Sequence, residues 1–304
     1  MTENELMRDI FKDHIKEQRA KRRWGIFFKG AFLAYLAVLF FMAPDTGITK
    51  LHKAAHVGLI DINGVIGADS PVNADSIVQG LRQAFEAEKA QAILLRINSP
   101  GGSPVESGLI HDEIVRLRQK YPDKKVYAAV TDMAASGGYY IAVAADQIYA
   151  DKASIVGSIG VIAPVMGFTE LMNKIGVDRR TLTSGKYKAM YDPTAPVNPE
   201  EAAWLQAILD NVHQQFIAVV KAGRGDRLAK DPNIFTGLMW TGEQAVKIGV
   251  IDGLGSPGYV TREIIGNDVV VDYTPHPAFF DQIAQRFGIM AQNSMQSFLT
   301  LNLK

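Results

Sequence analysis

The chain has 304 residues, with 32 basic and 32 acidic side chains and therefore a formal net charge of zero. This balance argues against the basic face that nucleic-acid binding usually needs, so we expect no nucleic-acid partner. The absence of cysteine excludes a disulfide framework, a thiolate nucleophile and a cysteine-ligated zinc site. The length allows one large domain or two small ones with a substantial core.

The N-terminal region carries a membrane signal. Residues 24–43 form an apolar run of 20 residues that is interrupted only by Lys29, and about 20 apolar residues span a bilayer as a helix. Five basic residues and one acid precede it within residues 16–23. The positive-inside rule therefore predicts a transmembrane anchor at 24–43, with residues 1–23 in the cytoplasm and the chain after Pro44 outside. A cleaved signal peptide is the alternative.

Strand and helix patterns alternate after a linker at 44–56. In chain order we predict a strand at 56–67, a helix at 73–87, a strand at 90–98, a helix at 105–121, a strand at 125–130, a small-residue helix reaching Ala145 and two short strands within 147–162. This alternation is typical of an α/β domain with a mostly parallel sheet.

Less regular patterns follow. We predict a helix at 168–176, a strand at 179–184, a long helix at 198–225 and a short helix leading into a strand or turn at 239–255. Asn198 and Pro199 suit the cap and first turn of the long helix. Residues 276–304 are apolar but carry no pattern that predicts an element.

Three predicted strand ends have an unusual composition, and in parallel sheets catalytic sites lie at the carboxyl ends of strands. Gly101 and Gly102 leave the backbone N–H groups of one loop unobstructed. Ser136, followed by Gly137, is either a helix N-cap or a nucleophile on a tight elbow. In the second case, the Gly137 N–H and one from Gly101 or Gly102 are suited to bind an oxyanion.

A nucleophilic serine needs a base. None of the six histidines lies at a predicted strand end, which disfavours a Ser-His-Asp triad. Lysine is the alternative base in Ser-Lys variants. Lys186 and Lys188 follow a predicted strand, although most lysines are simply solvated. A catalytic lysine must be neutral, and burial or a nearby cation favours that form.

Five segments occur in an order that is similar to a known family. They are "LLRINSPGGSPVES", "AASGGYYIAVAAD", "VGSIGVI", "TSGKYKAM" and "WTGEQAVKIGVIDGLG". Together they resemble the S49 peptidases of the signal peptide peptidase A type, in the short form with a single catalytic domain. The resemblance covers residues 57–265 and leaves 266–304 as a tail.

The resemblance implies a fold similar to ClpP proteases and crotonases, here preceded by one N-terminal transmembrane helix, and a Ser-Lys dyad. Carried over by motif, the roles fall on Ser136 as nucleophile, Lys188 as base with Lys186 as its rival, the backbone N–H groups of Gly101, Gly102 and Gly137 as oxyanion hole, and Ser158 as the hydroxyl that orients the lysine. Ser158 is also compatible with a plain turn.

The implied protein is a membrane-anchored serine endopeptidase that hydrolyses signal peptides or other membrane-associated peptides. Its partners would be peptide substrates, the lipid bilayer and further copies in a ring-shaped homo-oligomer whose subunits complete each other's active sites. The implied location is the bacterial inner membrane, with the catalytic domain on the periplasmic side and no cofactor or metal. A crotonase-like acyl-CoA enzyme and an inactive peptide-binding scaffold are the alternatives.

Overall fold

The computed structural model of the protein describes residues 3–41 and 54–275. Two compact units divide the chain, Met1–Lys50 and Leu51–Lys304. The described part of the first unit is one helix, α1 (Glu3–Phe41). It contains all of the predicted anchor except residues 42–43, which lie outside the described ranges, as do residues 44–53 of the predicted linker. Within those ranges, no helix combines the length and apolar character needed to cross a membrane.

The second unit alternates strands and helices as the sequence predicts. Its strands are β1 (His56–Asn63), β2 (Ala90–Ser99), β3 (Lys125–Ala135), β4 (Gln147–Ala150), β5 (Ile155–Gly157), β6 (Met239–Thr241), β7 (Gly253–Leu254) and β8 (Val270–Asp272). Its helices are α2 (Ala74–Glu86), α3 (Pro104–Lys120), α4 (Gly137–Ala142), α5 (Thr169–Ile175), α6 (Pro199–Arg224), α7 (Gly242–Lys247) and α8 (Pro257–Tyr259), with a π-helical segment over Val260–Ile265.

The strands form one mixed sheet of eight strands, which confirms the predicted α/β class. The main order is β6-β5-β3-β2-β1-β8, with β4 beside β3 and β7 beside β4. All pairs are parallel except β5–β6. Asn63 pairs with Asn98 at the ends of β1 and β2, so the carboxyl ends of these strands align at one edge, where loops can converge.

Local chemistry explains the helix boundaries. Asn73 caps α2 by accepting the Ser76 N–H at 2.9 Å, and Asn198 caps α6 with Pro199 in the first turn, as the sequence predicts. The inner face of α2 buries Leu81 and Phe85 completely against the sheet. Burying side chains of this size contributes about 1.5–3 kcal/mol each.

Three predicted boundaries differ from the structure. Strand β3 continues five residues beyond the predicted end at 130, because residues 133–135 pair with β5 and Ala134 pairs with Ser99. The prediction of a strand at 179–184 is wrong: residues 177–183 form no strand, since no neighbouring strand pairs with them in the described chain. Strand β8 pairs with β1, so the sheet includes part of the predicted tail at 266–304.

Candidate active site

Ser136 lies directly between β3 and α4 in a strained conformation. Its φ is +50° and its ψ is −120°, a region in which a residue other than glycine costs about 1–3 kcal/mol. The Ser136 N–H donates to the Gly157 carbonyl at 2.8 Å, which fixes the turn. The side chain makes no capping hydrogen bond, so the N-cap interpretation fails. Strand, turn and helix thus present the hydroxyl as a nucleophile elbow does.

The loop after β2 packs directly against this elbow. A Cβ added to Gly101 would lie 2.7 Å from the Gly137 nitrogen, and one added to Gly137 would lie 3.3 Å from the Gly102 nitrogen. Only glycine permits this approach, because Gly101 and Gly102 also have φ values of +98° and +151°. The two backbone segments therefore bring their N–H groups close to Ser136.

The N–H groups of the loop differ in their partners. The Gly101 N–H donates to the Ser99 hydroxyl at 3.1 Å. Ile66 brackets Gly102 by donating to the Gly101 carbonyl and accepting the Ser103 N–H, both at 2.9 Å. The Gly102 N–H makes no hydrogen bond within residues 3–41 and 54–275. Gly102 is thus the loop residue that still has a donor to offer.

A cavity of about 570 Å³ lies over the elbow. Its lining includes Gly102, Ser136, Gly137, Tyr140, Ser158 and Phe216. No charged side chain of the described chain lines it. Tyr140 stays neutral, because burial, followed by the charge of Asp112, raises the pKa of its hydroxyl. The cavity thus brings together the Ser136 hydroxyl and backbone N–H donors, and the described residues add no charged side chain to it.

Besides Ser136, Ser158 is the described residue other than glycine that has a positive φ beside the cavity. Its φ is +54°, and its N–H donates to the Leu238 carbonyl at 2.8 Å. The structure therefore brings Ser158 to the same cavity as Ser136, Gly102 and Gly137. Gly101 lies behind them, against the Gly137 nitrogen.

The two candidate lysines lie elsewhere. Lys188 is exposed and lines a separate open cavity of about 420 Å³ that does not include Ser136. Lys186 places its Nζ 2.9 Å from Glu200 Oε2. Hydrogen bonds with Tyr187 and Glu200 raise the pKa of Lys186 further above its ordinary value. These contacts favour the protonated form of Lys186, the opposite of what a base needs.

Histidines make other contacts. His56 Nε2 lies 2.9 Å from the Tyr273 hydroxyl, His111 Nδ1 lies 2.9 Å from Asp112 Oδ1, and His213 Nε2 lies 3.0 Å from the Ile159 carbonyl. None of these three lines the Ser136 cavity. In the described ranges, no cluster of histidine and carboxylate side chains is arranged to hold a metal ion.

Three site residues do not emerge from sequence reasoning. Ser99 is buried behind the glycine loop, and Tyr140 and Phe216 pair their rings at 5.0 Å beside the cavity. Ser99 precedes the proline of the loop, a visible signal, but its contact with a turn 35 residues earlier is not visible in the sequence. Phe216 lies on α6, 80 residues after Ser136, so no local spacing connects the two.

The sequence matches the model of peptidase family S49 over residues 118–265. A Brucella abortus protein named Na(+)/H(+) antiporter NhaA is 42% identical over 231 residues, which cover 75% of this chain but only 30% of that protein. This chain therefore corresponds to less than a third of that relative's length.

Two further relatives are named as proteases. "Putative protease slr0021" of Synechocystis is 34% identical over 207 residues, which cover 68% of this chain and 72% of that protein. "Serine protease SPPA, chloroplastic" of Arabidopsis thaliana is 34% identical over 187 residues, which cover 61% of this chain and 27% of that protein. The match to the family model includes the Ser136 turn, and the similarity to slr0021 covers most of that protein. The chain therefore belongs to peptidase family S49, in its signal peptide peptidase A type.

Proposed function

We propose that this protein is a serine endopeptidase that works through an acyl-enzyme formed on Ser136. One observation carries the proposal: the Ser136 hydroxyl has no hydrogen-bond partner in the described chain, and it stands on a strained elbow between two N–H groups that are also unpaired. Backbone strain of this kind clusters at functional sites.

The chemistry follows from this arrangement. Ser136 Oγ attacks the carbonyl carbon of the scissile peptide, and the oxygen that becomes negative is bound by the N–H groups of Gly102 and Gly137. Gly102 takes this role in preference to Gly101, whose N–H is occupied by Ser99. The base accepts the Ser136 proton and returns it to the leaving amine, and water then hydrolyses the acyl-enzyme.

We assign the base to Lys188 of a neighbouring copy. The Ser136 cavity has no base from its own described chain, whereas Lys188 belongs to a largely exposed segment, residues 163–198, which we call the arm. Within the arm, Leu182 is 98% and Ile175 is 63% exposed, as expected for a surface that another subunit covers. Enclosure in such a ring-shaped homo-oligomer would remove water from the amine and favour its neutral form.

The lining of the cavity suggests the class of substrate. It has no charge in the described chain, which suits small or apolar side chains of signal peptides or other membrane-associated peptides. Ser158, in the same cavity, is placed to orient an incoming lysine. No cofactor enters this mechanism.

Membrane attachment belongs to the same proposal. In α1, the rings of Trp24, Phe27 and Phe28 form an exposed cluster with centroids 5.7–5.8 Å apart, directly after a basic segment. Aromatic and basic residues are enriched at bilayer interfaces. We therefore propose that residues 24–43 attach the chain to a bacterial inner membrane, with its N-terminus in the cytoplasm and the peptidase unit in the periplasm.

The decisive experiment uses the full chain in detergent with synthetic signal peptides and unrelated membrane peptides. We expect mass spectrometry to detect internal cleavage, a fluorophosphonate probe to label Ser136, and Ser136→Ala to abolish both without lowering the melting temperature. Cleavage by Ser136→Ala at the normal rate would overturn the proposal. Peptide binding without cleavage or labelling would identify a peptide-binding scaffold. Turnover of acyl-CoA without labelling of Ser136 would identify a crotonase-like enzyme.

A further inference from the structure

Ser99 connects three parts of the site without lining its cavity. It is the last residue of β2 and is fully buried. Its hydroxyl donates to the Gly64 carbonyl at 2.6 Å and accepts the Gly101 N–H at 3.1 Å. A Cβ added to Gly138 would lie 2.9 Å from the Ser99 carbonyl oxygen, so the elbow helix packs on the same residue.

This contact determines which amide of the loop is available. Because Gly101 has a φ of +98° and a bonded N–H, its donor points into the protein. The next amide, that of Gly102, lies between the two hydrogen bonds that Ile66 makes on either side of it. The loop is thus fixed behind Gly102 by a buried hydroxyl and beside it by a backbone bridge.

We propose that Ser99 is a positioning residue that makes Gly102 the oxyanion donor by engaging the N–H of Gly101. The inference rests on the proposed function, because it presumes an oxyanion at this loop. Ser99 touches neither substrate nor nucleophile, and it acts through the orientation of two successive peptide groups. Removing its hydroxyl frees the Gly101 amide and lets the loop rotate.

The predicted kinetic effect is specific. An oxyanion donor interacts more strongly with the transition state than with the substrate carbonyl. A misplaced loop therefore lowers kcat with little change in KM, whereas a general loss of stability lowers the amount of active enzyme. A peptide aldehyde reports on the same step, because Ser136 Oγ adds to its carbonyl carbon and leaves the oxygen at the donor site.

Ser154 provides a matched control. It is 2% exposed, its hydroxyl accepts the Asp151 N–H at 3.0 Å and it donates to the Thr131 carbonyl. Ser154→Ala therefore removes a hydroxyl that, like that of Ser99, accepts a backbone N–H and donates to a backbone carbonyl; the Val130 carbonyl also lies 3.5 Å from it. None of the hydrogen bonds of Ser154 goes to the glycine loop or to the Ser136 turn, so we expect its loss to affect stability alone.

The experiment compares Ser99→Ala and Ser154→Ala in the full chain, with rates normalised to Ser136 labelled by the fluorophosphonate. For Ser99→Ala we expect kcat to fall about 10- to 100-fold with KM within about twofold, and affinity for the peptide aldehyde to fall in step. Ser154→Ala is expected to lower the melting temperature by a comparable amount but to keep the wild-type kcat, KM and affinity for the peptide aldehyde. Ser99→Cys, which keeps an unbranched side chain but has a larger atom and a weaker hydrogen-bonding group, is expected to fall between wild type and Ser99→Ala.

Equal kinetic behaviour of the Ser99 and Ser154 variants would overturn the role of Ser99. If Ser99→Ala does not fold, wild-type kcat and aldehyde affinity in Ser99→Cys would overturn it equally. These outcomes are separate from failure of the proposed function, which Ser136→Ala tests on its own: an inactive Ser136→Ala enzyme with kinetically silent Ser99 variants would retain the peptidase and remove only this inference.

Discussion

The elbow region and the arm are built in opposite ways within one folding unit. Around Ser136, backbone segments approach so closely that a Cβ at Gly102 would lie 2.0 Å from the Ile66 carbonyl oxygen. In the arm, Leu182 is almost fully exposed, and residues 177–183 form neither helix nor strand. The elbow region is closely packed within a single chain, whereas the arm leaves apolar side chains exposed.

This difference separates two requirements of acyl transfer. Positioned donors must be rigid before the substrate arrives, and the elbow and glycine loop meet that need by packing. A lysine base must lose water, and an exposed segment achieves this only when another surface covers it. A site divided in this way would remain inactive until the copies assemble.

The largest expected effect comes from replacing one lysine of the arm, Lys188. Lys188→Ala is expected to lower kcat about 100- to 10,000-fold, the usual contribution of a general base. Lys186→Ala is the matched control and is expected to stay within about twofold of wild type, because Lys186 pairs with Glu200 at the surface. The measurement is peptide hydrolysis by both variants at equal assembly state; the reverse ranking would transfer the base to Lys186.

The division of the site between copies has its own test. If Lys188 serves a neighbouring copy, co-expressed Ser136→Ala and Lys188→Ala chains form hybrid assemblies in which some sites have both residues. Partial recovery of activity in these hybrids is expected, although each variant alone is inactive. Hybrids that assemble but stay inactive would place both residues of each site in one chain.

The glycine loop gives the next largest effect. Gly102→Ala puts a Cβ 2.0 Å from the Ile66 oxygen at a φ of +151°, so the loop must move. We expect a loss of about 1–3 kcal/mol in the free energy of unfolding and a drop of about 100- to 1000-fold in kcat. Gly108→Ala, in α3 with nothing within 4 Å of the added Cβ, is expected to gain about 1 kcal/mol with unchanged kcat. Urea unfolding and peptide hydrolysis measure both.

Breaking the surface of the arm is expected to act through assembly. Leu182→Asp puts a charge on a side chain that is exposed in the single chain, so the melting temperature of the folded unit should hold, while association weakens about 30-fold or more. Leu109→Asp, on the exposed face of α3, is the control outside the arm. Analytical ultracentrifugation together with activity checks this, and an unchanged assembly of Leu182→Asp contradicts the proposed role of the arm.

The sequence predicts the fold well where pattern and contact are local. The helix periodicity and cap of α6 place its ends within a residue of the structure, and the alternation of elements gives the parallel sheet. The segment 179–184 contains two threonines and a leucine, residue types that are compatible with a strand, but a strand also needs a neighbour. Sequence periodicity cannot show that the described chain provides none.

The site is predictable to a similar limit. Ser136 and the glycines are visible because tight turns demand small residues. The choice between Gly101 and Gly102 is not, because it depends on the hydroxyl of Ser99 reaching Gly64 and Gly101, and these contacts form only in the folded chain. The separation of Lys188 from the Ser136 cavity is equally hidden in the sequence, because it depends on how the chain folds between the two residues.

The smallest expected effect concerns ion pairs, and it contrasts the packed body with the arm once more. Glu113, on α3, lies 2.6 Å from Arg82 and 2.7 Å from Arg116, and its side chain is 9% exposed. Hydrogen bonds from Arg116 and then Arg82 lower the pKa of Glu113 to about 2. A carboxyl whose pKa is lowered by folding stabilises the protein above its unfolded pKa, and that contribution is lost as the pH falls from about 4.5 towards 2.

Glu113→Gln is therefore expected to lower the free energy of unfolding by about 1–2 kcal/mol at pH 7, a value reduced for the exposure of both arginines. The difference from wild type should shrink towards pH 2, with kcat unchanged at pH 7. Glu200→Gln, which removes the exposed partner of Lys186 in the arm segment, is the matched control and should leave urea unfolding unchanged at both pH values, because solvent screens that pair. If Glu200→Gln lowered the free energy of unfolding more than Glu113→Gln does, the arm would be held to its own chain by ion pairing. The arm would then be a poor candidate for a surface that binds a neighbouring copy.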